Sequence, residues 1–137
     1  RRRFKPVYSV MGKTLMHQVT KLHYHQKSKL LDVLFNDGIS VSFSAEMLRV
    51  LSPSAEVRGH GKPVLVSHKR DVGIKQMLPV GLYAVKLVFD DGHNTGIYSW
   101  PYLRQLHENR DTLWQDYLDR LQAANSNREP SLSFKQL

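Results

Sequence analysis

A chain of 137 residues holds one domain with one core and leaves little room for a second. It has no cysteine, which excludes disulfides, thiolate nucleophiles and cysteine-held zinc or iron–sulfur sites, and no apolar run approaches the roughly 20 residues of a membrane-spanning helix. The formal charge of +8 is unevenly placed: residues 1–29 hold eight Lys/Arg and no acid, whereas residues 30–137 hold twelve of each sign.

Residues 1–18 lack a sustained period and read as a basic arm carrying Arg1, Arg2, Arg3, Lys5 and Lys13. Fixed positive charge attracts RNA, anionic lipid and acidic protein surfaces alike, so the arm alone does not choose a partner. An Arg-rich, acid-free start also resembles what remains beside a mitochondrial targeting segment; a bacterial-type cytoplasm is the other setting.

From Val19 the pattern turns to strands. Val19, Leu22 and Tyr24, then Leu30 to Phe35, predict two strands joined near Gln26 to Lys29. Asn36-Asp37-Gly38 is a hairpin turn, and Ile39, Val41 and Phe43 supply the returning strand at period two. Ser44 then caps a short helix, Ala45 to Leu51, with Glu46 opposing the positive end of its dipole and Pro53 stopping it. Ser52 to Lys62 is a loop of turn formers in which Gly59 and Gly61 flank His60 and leave Arg58 and His60 displayed. Pro63 to Ser67 and Val72 to Val80 predict two further strands, with Pro79 marking an edge or a bulge.

Tyr83 to Phe89 alternates as a strand, Asp91-Gly92 turns, Gly96 to Tyr98 returns, and Ser99 caps a helix carrying Pro101 in its first turn. Leu113, Trp114, Tyr117, Leu118 and Leu121 predict an amphipathic helix capped by Asn109 or Asp111, with Asp116 and Arg120 paired on its outer face. Its aromatic stripe reads as core packing. Residues 126–137 form a polar tail dotted with Leu132, Phe134 and Leu137, which frays or docks on another chain. The organisation is therefore an arm at 1–18, a domain at 19–125 and a tail.

The chain echoes itself. Val33 to Gly38, followed by a strand, Ser44 and Leu48-Arg49, returns as Leu87 to Gly92, followed by a strand, Ser99 and Leu103-Arg104, offset by 54 residues at the turn and 55 at the helix. Two hairpin-plus-helix units, neither able to bury its sheet face alone, would pack as a pseudo-symmetric pair around one core.

Seven histidines invite a metal or catalytic reading, yet no H-x-D or H-x-E triplet, G-x-S-x-G elbow or phosphate-binding glycine loop is present. His23 and His25 lie two apart on one strand face and could share a metal; with no third ligand in sight they are assigned to ordinary exposure. Asp90-Asp91 is assigned to turn chemistry. The candidate binding residues are Arg58, His60 and His93 with nearby Tyr98, because a guanidinium and two imidazoles on glycine-rich loops suit a carboxylate, phosphate or acidic peptide. The competing reading pairs Arg58 internally with Glu56 or Asp91 and bonds His93 across its turn.

Over roughly residues 20–122 the chain resembles the gamma-butyrobetaine hydroxylase-like N-terminal domain family. The resemblance is carried by Leu48-Arg49-Val50, by Ser52 to Gly61 (SPSAEVRGHG), by Pro79-Val80-Gly81 with Tyr83-Ala84-Val85, and by Phe89 to Trp100 (FDDGHNTGIYSW) with Tyr102-Leu103. Leu113-Trp114 with Tyr117-Leu118 looks like the closing helix of the compact, free-standing bacterial members. Other members precede 2-oxoglutarate-dependent carnitine-pathway hydroxylases, where the domain is not the catalytic one, or are appended to Mrp-type ATPases that carry iron–sulfur clusters. The resemblance implies a structural zinc held by three cysteines in a C-x-C-x2-C loop and a histidine in a D-G-H turn. Those positions fall here on Ser52, Ser54, Val57 and His93, so three of the four ligands are missing and a tetrahedral site is not expected. A hydrogen-bonded Ser52/Ser54 loop against His93 is the expected substitute.

These readings converge on an α+β fold: a small antiparallel β-hairpin-based domain, with two sheets or one strongly twisted one, short helices and a C-terminal amphipathic helix. The expected function is a non-enzymatic protein-interaction or structural module without a cofactor or metal, an accessory subunit or assembly factor of a larger complex, with a mitochondrial assembly as the expected setting. Other protein subunits are its expected partners, with RNA or anionic lipid as further partners of the arm. The alternative, by analogy with the ATPase-fused members, is a small-ligand or iron–sulfur-delivery-related binding protein.

Overall fold

A computed structural model describes residues 17–58 and 64–130. Three strands, β1 (Val19–His25), β2 (Leu30–Phe35) and β3 (Ser40–Ser44), form one antiparallel sheet in the order β1-β2-β3 and lead into helix α1 (Ala45–Val50). A short turn of helix, α2 (Ala55–Arg58), follows. The plan then repeats: β4 (Ile74–Val80), β5 (Ala84–Phe89) and β6 (Gly96–Ser99) form a second antiparallel sheet in the order β4-β5-β6 and lead into α3 (Trp100–Glu108), after which α4 (Arg110–Ala123) closes the domain.

The repeat extends to detail. Gly38 and Gly92 both turn at positive φ, +89° and +95°, and each donates its N–H to the strand's terminal Phe, Phe35 or Phe89. Ser44 and Ser99 cap their helices from extended backbone by accepting from Met47 N and Tyr102 N. Equivalent register shifts fall between Val19 and Lys21 and between Ile74 and Gln76. Two ion pairs cross between the halves at corresponding positions: Arg49 of α1 reaches Asp91 in the second turn at 2.7 Å, and Arg104 of α3 reaches Asp37 in the first at 2.9 Å.

Both sheets turn their inner faces to one core. Leu31, Val33, Phe35, Val41 and Phe43 from the first meet Val85, Leu87, Phe89 and Tyr98 from the second, with Leu48, Leu103 and Leu106 packed among them. Alternation supplies these faces, since successive strand residues point to opposite sides. At about 25 cal/mol per Å² of apolar surface removed from water, this shared core is the main term holding the halves together.

The structure corrects several expectations. Residues 64–67 form no strand. Leu65 and Val66 instead pack beneath α4 with Val50, Tyr117 and Leu121, so burial against a helix replaces ladder pairing. The strand expected from Val72 begins at Ile74, because Val72 N–H closes a turn on Lys69 O. Pro79 does lie on an edge strand, β4, opposite Val85. Asn109 occupies the cap of α4 without a side-chain bond to it, its amide donating back to Gln105 O of α3. Glu46 is more than a dipole partner: its buried carboxylate accepts two hydrogen bonds from Arg128, both at 2.8 Å, and one from Tyr117 at 3.2 Å. Arg70 pairs with Glu129 as well, at the surface.

Candidate functional site

The two turn-and-loop regions meet at His93. Ser52 follows α1 and Ser54 precedes α2, while His93 leaves the second hairpin turn; all three are buried. Ser54 N–H donates to Ser52 Oγ at 3.2 Å, Ser52 Oγ lies 2.9 Å from His93 Nε2, and His93 Nδ1 lies 2.9 Å from Glu56 Oε1. A carboxylate only accepts, so neutral His93 carries its proton on Nδ1, and Nε2 accepts from the Ser52 hydroxyl. Ser54 Oγ accepts from Glu56 N–H at 3.1 Å and shares a 2.6 Å hydrogen bond with Thr95 Oγ1. Gly96 makes the close approach possible, since a Cβ there would stand 2.6 Å from Ser52 Oγ.

Charges surround this clasp. Burial pushes Asp91 up, but hydrogen bonds from Lys69, the His93 backbone and Arg49 outweigh it and hold the carboxyl at about 2. Burial, joined by the nearby Arg49 charge, holds His93 below the ordinary imidazole value. Tyr98, fully buried, donates to Leu48 O, and burial pushes its hydroxyl far above its usual range.

Ser52, His93 and Glu56 have the hydrogen-bond order of a hydrolytic triad, nucleophile to Nε2 and acid to Nδ1. The accessibility is the reverse of what attack on a substrate requires. Ser52 is 1% exposed while the Glu56 side chain is 62% exposed.

Of the residues that sequence reading proposed for binding, His93 and Tyr98 are buried in the clasp and do not present a ligand-facing surface. Arg58 takes neither Glu56 nor Asp91; its guanidinium lies over the Tyr102 ring, 5.3 Å from the centroid. His60 and the arm residues Arg1, Arg2, Arg3, Lys5 and Lys13 lie outside the described residues. The zinc implied by resemblance does not fit this donor set: Val57 offers no ligand, both serine hydroxyls are engaged, and both nitrogens of His93 have partners.

The outer faces of the two sheets form the second region of interest. Across the first sheet, one row reads His23, Asp32, Ser42; the corresponding row of the second reads Leu78, Lys86, Ile97. Leu82 and Tyr83, 90% and 60% exposed, extend the apolar character at the β4–β5 turn. Sequence reading missed this surface. Its signal was the pair of apolar residues at Leu78 and Ile97, on the faces that alternation assigns to solvent.

The molecule is thus an α+β domain of two similar halves, clasped by hydrogen bonds and crossed ion pairs. It belongs to the gamma-butyrobetaine hydroxylase-like N-terminal family, which matches residues 22–104. Two solution structures determined by NMR resemble it, each with a TM-score of 0.74. One is 52% identical, covering 88% of this chain and 91% of that one; the other is 44% identical, covering 89% and 98%. A crystal structure of a protein of unknown function from Acidithiobacillus ferrooxidans is 38% identical with a TM-score of 0.56, covering 65% of this chain and 91% of that one. No curated protein matches the sequence. Among the described residues, no helix is long and apolar enough to cross a membrane.

Proposed function

We propose that this protein is a non-enzymatic interaction module, an accessory subunit or assembly factor of a larger complex. The observation that carries the reading is the exposure of Leu78 and Ile97 on the outer face of the second sheet, on either side of Lys86, with Leu82 and Tyr83 exposed at the β4–β5 turn. Single exposed apolar residues are ordinary, but four of them on one sheet and its turn favour a contact surface. The buried Ser52 hydroxyl supports a structural role for the Ser52–His93–Glu56 chain. The basic arm would add electrostatic attraction to a protein, RNA or lipid component of the assembly, in a mitochondrial or bacterial setting.

A photo-crosslinker placed at Tyr83, with affinity purification from the native source, tests this. The reading expects one recurrent crosslinked subunit, lost in Ile97→Asp and weakened when residues 1–18 are removed. A folded Ile97→Asp chain that keeps every partner would overturn the surface assignment.

A further inference from the structure

The corner where the first sheet meets α4 carries a separate chemistry. β3 is an edge strand, and the first residue of α4 covers it: Arg110 Nη2 donates to Ser42 O at 2.7 Å, and the guanidinium lies over the Phe43 ring, 5.1 Å from the centroid. Arg110 is half-buried yet makes no ion pair among the described residues, whereas Arg49, Arg70, Arg104 and Arg128 each hold a carboxylate. Its Nε is buried without a hydrogen-bond partner, and Nη1 has none among the described residues. A guanidinium stays charged at any working pH, and one drawn partly out of water is ordinarily matched by an anion.

Beside it opens a cleft of about 280 Å³, walled by the apolar surfaces of Leu30, Met47 and Trp114. Leu30 is half-buried on the outer face of β2 and joins neither core cluster. Ser44, its partner across the ladder, also lines the cleft; its Oγ accepts from Met47 N–H, and its O–H has no acceptor among the described residues. Asp111, next to Arg110 in the first turn of α4, stands exposed at the rim and likewise makes no ion pair among the described residues. The cleft thus offers an unpaired cation, an unpaired anion and an apolar wall. A simple carboxylate would satisfy Arg110 and be repelled by Asp111, and a simple amine the reverse, so a molecule carrying both charges matches the lining best. The volume falls just short of the roughly 300 Å³ at which drug-sized pockets begin, so the occupant is small.

We propose that this cleft binds a free α-amino acid with an apolar side chain. Its carboxylate meets Arg110, its ammonium meets Asp111, and its side chain lies against Trp114, Met47 and Leu30. The site is independent of the exposed apolar residues on the second sheet.

The test titrates the full chain with L-phenylalanine, and separately with 3-phenylpropionate, which lacks the ammonium, and phenethylamine, which lacks the carboxylate. NMR should show L-phenylalanine shifting the Trp114 indole and the Leu30 and Met47 methyl signals saturably, with both analogues at least about 10-fold weaker, the worth of one charge-assisted contact. Arg110→Met should weaken L-phenylalanine about 10-fold and leave phenethylamine unchanged. Asp111→Asn, at an exposed position, should weaken L-phenylalanine and strengthen 3-phenylpropionate, whereas Ile97→Asp should leave all three as they are. Shifts that do not saturate or that centre elsewhere, an analogue binding as tightly as L-phenylalanine, or an unaltered L-phenylalanine affinity in folded Asp111→Asn overturns the proposal.

Discussion

In the first half of the domain the outer row of the sheet is His23, Asp32 and Ser42; in the second half the corresponding row is Leu78, Lys86 and Ile97. The inner rows behind them are alike, buried and apolar in both halves. Register is set wherever one face is buried, because a slip of one residue would expose the whole apolar set. The outer row carries no such constraint. The halves have therefore kept turn, cap, bulge and core in common and differ where they meet solvent, one with stacked imidazoles beside an aspartate and the other with Leu78 and Ile97 on either side of a lysine. The turns differ at one further place: where His93 enters the clasp, the first half has Ile39, 39% exposed and without such a role.

The largest effect expected from treating the halves as equivalents is in the core. Leu48→Ala and Leu103→Ala, at matching positions and both fully buried, should each cost about 2–5 kcal/mol in denaturant unfolding. Both should melt the whole domain in one transition; a half that survives the loss of the other would break the equivalence. The crossed ion pairs come next. Asp91 is less exposed than Asp37, with side chains at 17% and 38%, so Arg49→Ala should cost roughly 2 kcal/mol and Arg104→Ala about 1 or less.

His93→Ile, which copies Ile39 into the second turn, strands the Ser52 hydroxyl and should cost about 1–3 kcal/mol. It should also remove one limb of the acid profile. His93 is held below its ordinary value by burial and Arg49, so as pH falls past about 6.5 the unfolded chain takes a proton that the native state refuses, and stability drops toward the native value. Asp91, at about 2 when folded against 3.8 when free, contributes stability above about pH 4 that is lost as the pH falls toward 2. Urea titrations across pH should show both limbs in the parent chain, the upper missing in His93→Ile and the lower in Asp91→Asn. The smallest effect on stability belongs to exchanging the outer rows. Leu78→His with Lys86→Asp and Ile97→Ser should change unfolding by no more than about 0.5 kcal/mol per site, while abolishing the subunit contact.

Much of the fold was legible because it rests on local rules. Ser44, Ser99, Asn36-Asp37-Gly38 and Asp91-Gly92 act within a few residues of themselves, and alternation identified the inner faces of β3 and β5. The segment 64–67 was misread because a short apolar run looks the same whether it pairs in a ladder or packs beneath a helix. Glu46 was read as a dipole partner because its partner Arg128, 82 residues away, leaves no local trace. The clasp was half legible: resemblance placed Ser52, Ser54 and His93 together, but nothing in spacing indicated that Glu56 would take Nδ1 or that Tyr98 would be buried.

By itself, then, the sequence determined the elements, their turns and caps, and the doubling of the plan, since each depends on backbone preferences and on which side chains avoid water. Tertiary structure decided what those elements present. It crossed Arg49 and Arg104 to opposite halves, sealed His93 against Ser52, and set Asp32 beside His25. Such pairings depend on distances between residues far apart in the chain, which only the packed core brings within hydrogen-bond reach.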